Sequence, residues 1–377
     1  MVGLYLHIPF CRRKCIYCDF YSGKGAAQEL QGYPGLLIKH LERVAGQGRW
    51  QRPFDSIYFG GGTPSLLSPQ SIDAILQAIG RYYSLASDIE ISLEANPGTV
   101  TIDSLTGYRS AGINRLSLGL QSCNDQRLKD LGRLHNRRQG LQSVAWARQA
   151  GFANISLDLM FALPGQSRED LEEELQTYLD LAPEHFSCYG LTAEPGTPLH
   201  ASIASGAMSL PDEDQYADSF MLLHDRLNAA GYTHYEIANY ARDGFDCRHN
   251  IGYWERLPYL GIGAGAHSFL DDGWGSRWDI AADLPGYRQA LQTGTEPMTC
   301  LETFDRESAL RETIYLALRT RRGVADDELR QRFGCTLADR FPEAIEACGQ
   351  SLENEAGRWS LAPSGWLLYD HLVQNFL

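Results

Sequence analysis

Between Val2 and about Ile237, short apolar runs rich in Val, Ile, Leu, Tyr and Phe alternate with segments of helical length, and this alternation limits the possible folds more than any other feature of the chain. A strand that must cross a helix before reaching its neighbour lies parallel to it, so the pattern predicts parallel strands covered by helices. The candidate strands are Gly3–Ile8, Ser56–Phe59, Ile89–Glu94, Arg115–Gly119, Ile155–Met160 and His185–Tyr189, with helical patterns such as Pro69–Tyr82 and Arg168–Leu181 between them. Six such strands fit a partial (β/α)6 TIM-like barrel, with an open α/β sheet as the other solution. In either case sites gather at the carboxyl ends of the strands, and the distinctive residues Cys11, Gly60 to Thr63, Glu94, Gln121 and Asp158 fall there.

A chain of 377 residues has room for about two domains. Residues 1–238 form the alternating unit. Residues 239–302 are rich in Gly and aromatic residues and read as an irregular or short-stranded connection, and residues 303–377 read as a smaller, mainly helical, winged-helix-like domain. Its expected elements include a helix containing Cys335 and a strand pair near Arg358 to Leu361. The net charge of −14 argues against broad nucleic-acid binding. Met1 to Phe10 lacks a basic n-region, and charges interrupt every apolar run before the roughly 18 to 20 residues a membrane span needs. Nine cysteines, an odd number, suit metal or redox chemistry in a cytoplasmic chain better than a disulfide framework.

Three of them form Cys11-x3-Cys15-x2-Cys18 directly after the first strand. Three thiolates on one loop can hold one metal centre. A closed zinc site wants four ligands and no second C-x2-C pair follows, whereas a [4Fe-4S] cluster held by three cysteines keeps one iron open to a small molecule. Arg12, Arg13 and Lys14 would offset cluster charge and lower the thiol pKa values, or be solvated loop charges. Asp158, flanked by apolar residues, needs a partner if buried, and Arg133 is the candidate.

Together Tyr5-x-His7-Ile8-Pro9-Phe10-Cys11, the cysteine triad, Gly60-Gly61-Gly62-Thr63-Pro64 and Gln121-Ser122 resemble the radical S-adenosylmethionine superfamily, and more narrowly its coproporphyrinogen dehydrogenase-like branch, over essentially the whole chain. The resemblance implies a [4Fe-4S] cluster on Cys11, Cys15 and Cys18. It implies S-adenosylmethionine chelated to the open iron and cleaved on one-electron reduction to a deoxyadenosyl radical, the electron coming from a donor such as flavodoxin or ferredoxin. It further implies that Tyr5, Gly61, Gly62, Thr63 and Glu94 contact this cofactor, and that Tyr17, Gln121, Arg133 and Asp158 match positions for a second molecule of it. No catalytic residue is assigned. Where the dehydrogenases carry a fourth cysteine, two residues after the third, this chain has Phe20.

A second motif, His249-Asn250-Ile251-Gly252-Tyr253-Trp254, resembles the signature of heme chaperones in the same branch. Imidazole is a good ligand for heme iron, and Tyr253 and Trp254 could stack on a porphyrin; alternatively, His249 is a satisfied histidine in an aromatic core. The expectation is a chaperone that binds heme and delivers it to recipient hemoproteins such as respiratory enzymes, cytoplasmic and peripheral at the membrane through its partners. The alternative is an oxygen-independent coproporphyrinogen III oxidase. Gly261-x-Gly263-x-Gly265-Ala266 nominally fits a dinucleotide fingerprint but lacks the long strand before it and the helix after it, and is read as a glycine-rich turn beside the site.

Overall fold

The computed structural model describes residues 1–377. The alternating region forms β1 (Gly3–Ile8), α1 (Ala27–Ala45), β2 (Phe54–Gly61), α2 (Pro69–Tyr82), β3 (Leu85–Ala95), α3 (Ile102–Ala111), β4 (Arg115–Gln121), α4 (Asp125–Asp130), α5 (Arg137–Gln149), β5 (Ile155–Phe161), α6 (Arg168–Asp180) and β6 (His185–Gly190). Strands β1 to β6 neighbour one another in chain order and every pair is parallel. Local chemistry sets the elements. In α2, Ser68 caps the first turn by accepting the Ser71 N–H at 3.1 Å, Pro69 stands where no N–H is needed, and Ile72, Ile75, Ala78 and Ile79 bury one face. Strand β4 is buried on both faces: Leu116, Leu118 and Leu120 pack outward under the helices, while Arg115, Ser117, Gly119 and Gln121 face the lumen.

The chain continues through α7 (Pro198–Ala204), α8 (Glu213–Ala229), β7 (Thr233–Glu236), β8 (Asn239–Ala241), α9 (Arg248–Trp254), β9 (Tyr259–Ile262), β10 (His267–Leu270), β11 (Ser276–Ile280), α10 (Leu284–Thr293) and β12 (Met298–Thr303). Residues 239–302 are thus short-stranded rather than irregular, and they extend the barrel sheet instead of merely connecting. Strand β9 pairs in parallel with β1, β10 to β12 follow antiparallel, and β8 and β7 extend the sheet beyond β6. The twelve strands do not pair first to last, so the barrel stays open. Helix α9 lies across the amino ends of β1 and β2, with the His249 ring against Gly3 and Ser56.

The C-terminal unit comprises α11 (Arg306–Leu318), β13 (Val324–Ala325), α12 (Asp326–Phe333), α13 (Leu337–Arg340), α14 (Pro342–Cys348), β14 (Leu352–Glu355) and β15 (Arg358–Leu361), the strands forming a three-stranded sheet ordered β13-β15-β14. Cys335 is not in a helix. Gly334, at φ +66°, ends α12 and Thr336 caps α13, which leaves Cys335 in the link between them. One hydrophobic core runs from Leu4 and Leu6 of β1 to Phe333, Trp366 and Phe376. The same junction holds a buried ion cluster, in which Glu312 of α11 accepts from Arg256 and Arg277, and Arg256 also lies 4.6 Å from the rings of Phe269 and Phe304. Glu312→Ala leaves Arg256 buried without its carboxylate and is expected to cost about 3–5 kcal/mol. Urea denaturation checks this, and a loss below about 1 kcal/mol would refute it.

Candidate functional site

A cavity of about 690 Å3 runs down the barrel lumen, from the cysteine loop at the carboxyl ends of the strands to α9 at the floor. Its wall includes Cys11, Cys15 and Cys18, with Tyr5, Tyr17, Gly61, Gly62, Thr63, Glu94, Gln121, Arg133 and Asp158, and at the floor His249 and Tyr253. Fourteen predicted residues therefore meet in one space although they are drawn from Tyr5 to Tyr253 of the sequence. Trp254 does not join them. Its ring packs 4.4 Å from the Arg319 guanidinium at the end of α11, because neighbouring helical residues point about 100° apart and Tyr253 takes the lumen side.

The three thiols are unpaired with each other or with any other cysteine. Backbone carbonyl contacts hold their loop in place: Arg12 donates to Gly98 O at 3.1 Å, Arg13 to Gly132 O at 2.8 Å and Lys14 to Phe20 O at 2.9 Å. These cations are therefore clamps rather than free loop charges. Thr63 donates to Cys11 Sγ at 3.4 Å and Arg133 to Cys15 Sγ at 3.6 Å, so two thiols already receive hydrogen bonds. At Cys18 Lys14 acts in the expected, lowering direction together with the Phe20 amide, but burial outweighs both and pushes this thiol up from its ordinary value. Phe20 lies 65% exposed at the cavity mouth.

Gly61 and Gly62 are glycines for a reason the sequence did not show. Gly61 has φ +108°, and a Cβ there would meet the His7 ring at 2.6 Å; one on Gly62 would meet Phe10 O at 2.7 Å and Ile8 O at 2.9 Å. Close approach of β2 to the end of β1 demands them, whatever binds above. Gly62→Ala should therefore displace the cysteine loop, destabilising the apo chain by about 1–3 kcal/mol and lowering the iron retained after reconstitution. A thermal scan with iron analysis checks both, and an unchanged Tm would refute the packing argument.

Two buried carboxyls define the electrostatics of the lumen. Burial pushes Glu94 up to about 7, despite a hydrogen bond from the Tyr58 hydroxyl at 2.9 Å. Burial likewise raises Asp158 to about 6, against the hydroxyl of Ser117 at 3.0 Å. Ser117 is the direct partner of Asp158, and Arg133 acts on it only through space because its guanidinium turns to Gly119 O and Cys15. Gln121 adopts φ +69°, left-handed for a non-glycine residue, at an irregularity in the β4–β5 register, and its Oε1 accepts from Tyr189 at 2.6 Å. At the floor His249, 3% exposed, has both ring nitrogens engaged, Nδ1 with Ser56 at 2.8 Å and Nε2 with Tyr253 at 2.8 Å. Burial holds its pKa down at about 3. The glycine-rich turn Gly261 to Gly265 packs against β1, where a Cβ on Gly263 would lie 2.7 Å from His7 O, and it does not line the cavity.

Sequence reasoning missed Tyr58, Arg115, Ser117, Ser156, His185 and Tyr189, all on the cavity wall. The signal was present as polar residues at every second position, Arg115-x-Ser117 in β4, Ser156-x-Asp158 in β5 and His185-x-Ser187-x-Tyr189 in β6, inside strands otherwise apolar.

A parallel six-stranded partial barrel with three free thiols on its first loop is the architecture of radical S-adenosylmethionine proteins. A family model described as "Radical SAM superfamily" matches residues 5–177, and one described as "HemN C-terminal domain" matches residues 304–368. The chain belongs to the HemW family within that superfamily. It is 41% identical over 387 residues to "Heme chaperone HemW" of Escherichia coli, covering 100% of this chain and 98% of that protein. To the protein of the same name from Bacillus subtilis it is 33% identical over 381 residues, covering 100% and 99%. It also matches a solved structure of coproporphyrinogen III oxidase (HemN) from Escherichia coli with a TM-score of 0.84 at 22% identity, covering 100% of this chain and 89% of that one, a likeness of fold.

Superfamily membership implies a [4Fe-4S] cluster and S-adenosylmethionine, which decides between cluster and zinc. The cavity fits them. It offers three uncrosslinked thiols on one loop, a cofactor-sized volume and buried carboxyls with hydrogen-bonding capacity to spare, while Arg133 Nε is buried without a partner.

Proposed function

We infer that the protein is a heme chaperone that binds heme, a [4Fe-4S] cluster and S-adenosylmethionine and delivers heme to hemoproteins such as respiratory enzymes. The observation that carries this reading is the likeness, over essentially the full length of both chains, to relatives named heme chaperone in distant bacteria. Cys11, Cys15 and Cys18 would hold the cluster, leaving one iron open. Tyr5, Gly61, Gly62, Thr63 and Glu94 would contact S-adenosylmethionine, with Tyr17, Gln121, Arg133 and Asp158 bordering room for a second molecule. When bound and reduced, this pair supplies one-electron cleavage chemistry. The chain's own part is to orient and to exclude water: Tyr58 holds the Glu94 carboxyl and Ser117 that of Asp158.

For heme, His249 and Tyr253 present themselves at the cavity floor. Ligation of iron by His249 requires exchange of its bond to Tyr253 or Ser56, so heme and those hydroxyls compete for the imidazole. The reading also places the protein in the cytoplasm, served by a donor such as flavodoxin or ferredoxin and peripheral at membranes only through recipients; no helix of the chain is long and apolar enough to cross a membrane.

The test is anaerobic. Cluster-reconstituted protein is supplied with S-adenosylmethionine and a reductant, coproporphyrinogen III is followed by mass, and a parallel sample is titrated with heme. A saturable heme complex that loads an apo-hemoprotein, with no decarboxylated product, is expected. Decarboxylation of coproporphyrinogen III without heme binding would overturn the reading.

A further inference from the structure

Below the tier of cysteines and glycines the lumen holds a cation that the protein leaves without a partner. Arg115 opens β4, six residues before Gln121, which at about 3.3 Å per residue places its backbone about 20 Å down the strand from the upper wall. Its side chain lines the same continuous cavity. The residue is only 2% exposed, and its Nε has no hydrogen-bond partner. The carboxylate whose charge it feels most, Glu90, acts through space, since the Glu90 oxygens accept the backbone N–H groups of Arg248 at 3.2 Å and His249 at 3.3 Å. Glu94 and Asp158, higher in the lumen, are held by Tyr58 and Ser117. On the neighbouring strand Ser92, the register partner of Arg115, has a buried hydroxyl that is also without a partner.

A guanidinium withdrawn from water without a carboxylate is costly, and its planar fork of donors matches a carboxylate in geometry as well as charge. The cavity leading to it is far larger than a small free anion requires, and it opens at the cysteine-loop end. We propose that Arg115 is the carboxylate receptor of the barrel lumen and that it takes a propionate of a tetrapyrrole entering from the cysteine-loop end. The choice of tetrapyrrole rests on the heme-chaperone reading; the receptor rests on the geometry alone.

The experiment uses full-length, cluster-reconstituted wild type, Arg115→Met and Arg115→Lys, titrated with heme, with heme dimethyl ester and, by fluorescence, with coproporphyrin III. Arg115→Met should weaken heme and coproporphyrin binding at least tenfold, with Arg115→Lys between it and wild type. The ester should bind wild type as weakly as heme binds Arg115→Met, and esterification should cost nothing further in that variant. Iron, sulfide and S-adenosylmethionine affinity should stay unchanged, and the Tm of the unliganded variant should stay level or rise, because an unpaired buried charge has been removed.

Equal porphyrin affinity in wild type and Arg115→Met overturns the proposal, as does a marked fall in Tm, which would make Arg115 a structural partner of Glu90. Succinate, titrated in parallel, that binds wild type but not Arg115→Met while porphyrins bind both equally would assign the receptor to a small free carboxylate and overturn the propionate. Wild type that binds coproporphyrin through Arg115 but not heme refutes the heme-chaperone reading and leaves the receptor standing; heme binding indifferent to Arg115 does the reverse. Wild type that binds neither porphyrin overturns both.

Discussion

Cys15→Ala is expected to yield protein that folds but carries essentially no cluster, its iron and labile sulfide falling to background after anaerobic reconstitution. Three thiolates are the fewest that hold a cuboidal cluster while leaving one iron open, and this chain has no fourth cysteine on the cavity wall to substitute. The fold should survive because the loop is tied down by groups other than the thiol. Arg12, Arg13 and Lys14 clamp carbonyls, Cys11 N–H donates to Gly23 O at 2.9 Å and Ile16 N–H to Leu131 O at 3.2 Å. The apo variant should therefore melt within a degree or two of apo wild type while losing S-adenosylmethionine binding that depends on the open iron. Near wild-type iron content would remove Cys15 from the ligand set, and a collapse of Tm would show that the thiol itself packs the loop.

The second large effect is acid lability. Burial holds seven histidines below their ordinary value: His7, His40, His135, His185, His224, His234 and His249, with His40, His234 and His249 near 3 and His135 near 4. A histidine of depressed folded pKa is neutral in the native state, so the unfolded chain takes up the proton first, near pH 6.5, and stability is lost as the pH falls from there toward the folded values. Glu94 and Asp158 oppose this. Their folded values, about 7 and about 6, exceed the unfolded ones, and burial raises Glu174, Glu236 and Asp246 in the same direction, so the native state binds these protons first and gains stability on acidification. The histidines outnumber them, and each net proton is worth about 1.4 kcal/mol per pH unit. Tm should hold between pH 7.5 and 6.5 and drop steeply between pH 6 and 4. Replacing both carboxyls, Glu94→Gln with Asp158→Asn, should steepen the drop. A Tm flat from pH 7 to 5 would contradict the burial of these imidazoles as neutral groups.

His249 connects the second effect to function. At neutral pH it is neutral and able to ligate iron, but it is shared between Ser56 and Tyr253 beneath Tyr58, whose ring lies 5.0 Å away. The motif at residues 249–254 joins two structures: Tyr253 faces the lumen, and Trp254 meets Arg319, which also pairs with the buried Glu236 at 3.2 Å. A displacement of α9 that freed the imidazole would therefore disturb the junction with the C-terminal unit.

Much of this protein was legible in its sequence because the governing forces are local. Alternation of apolar strands and amphipathic helices implies parallel pairing, since a crossover helix leaves no other direction for the next strand, and β1 to β6 follow it. The spacing of Cys11, Cys15 and Cys18 places three thiols on one loop by chain connectivity alone. Tertiary structure decided what depends on partners distant in sequence. Segment 239–302 carries strands of only three to six residues, too short to announce themselves, and they exist because β1 and β6 offer edges to extend. The Gly61 and Gly62 requirement comes from His7 and Phe10, roughly fifty residues away, and Ser117 rather than Arg133 answers Asp158 because β4 and β5 lie in register. Arg115 reads as an ordinary strand-leading cation in the sequence; only the closed packing of Glu90 onto α9 leaves it alone at the bottom of the lumen. Burial and the competition for hydrogen-bond partners are properties of the assembled barrel, and no local pattern of residues encodes them.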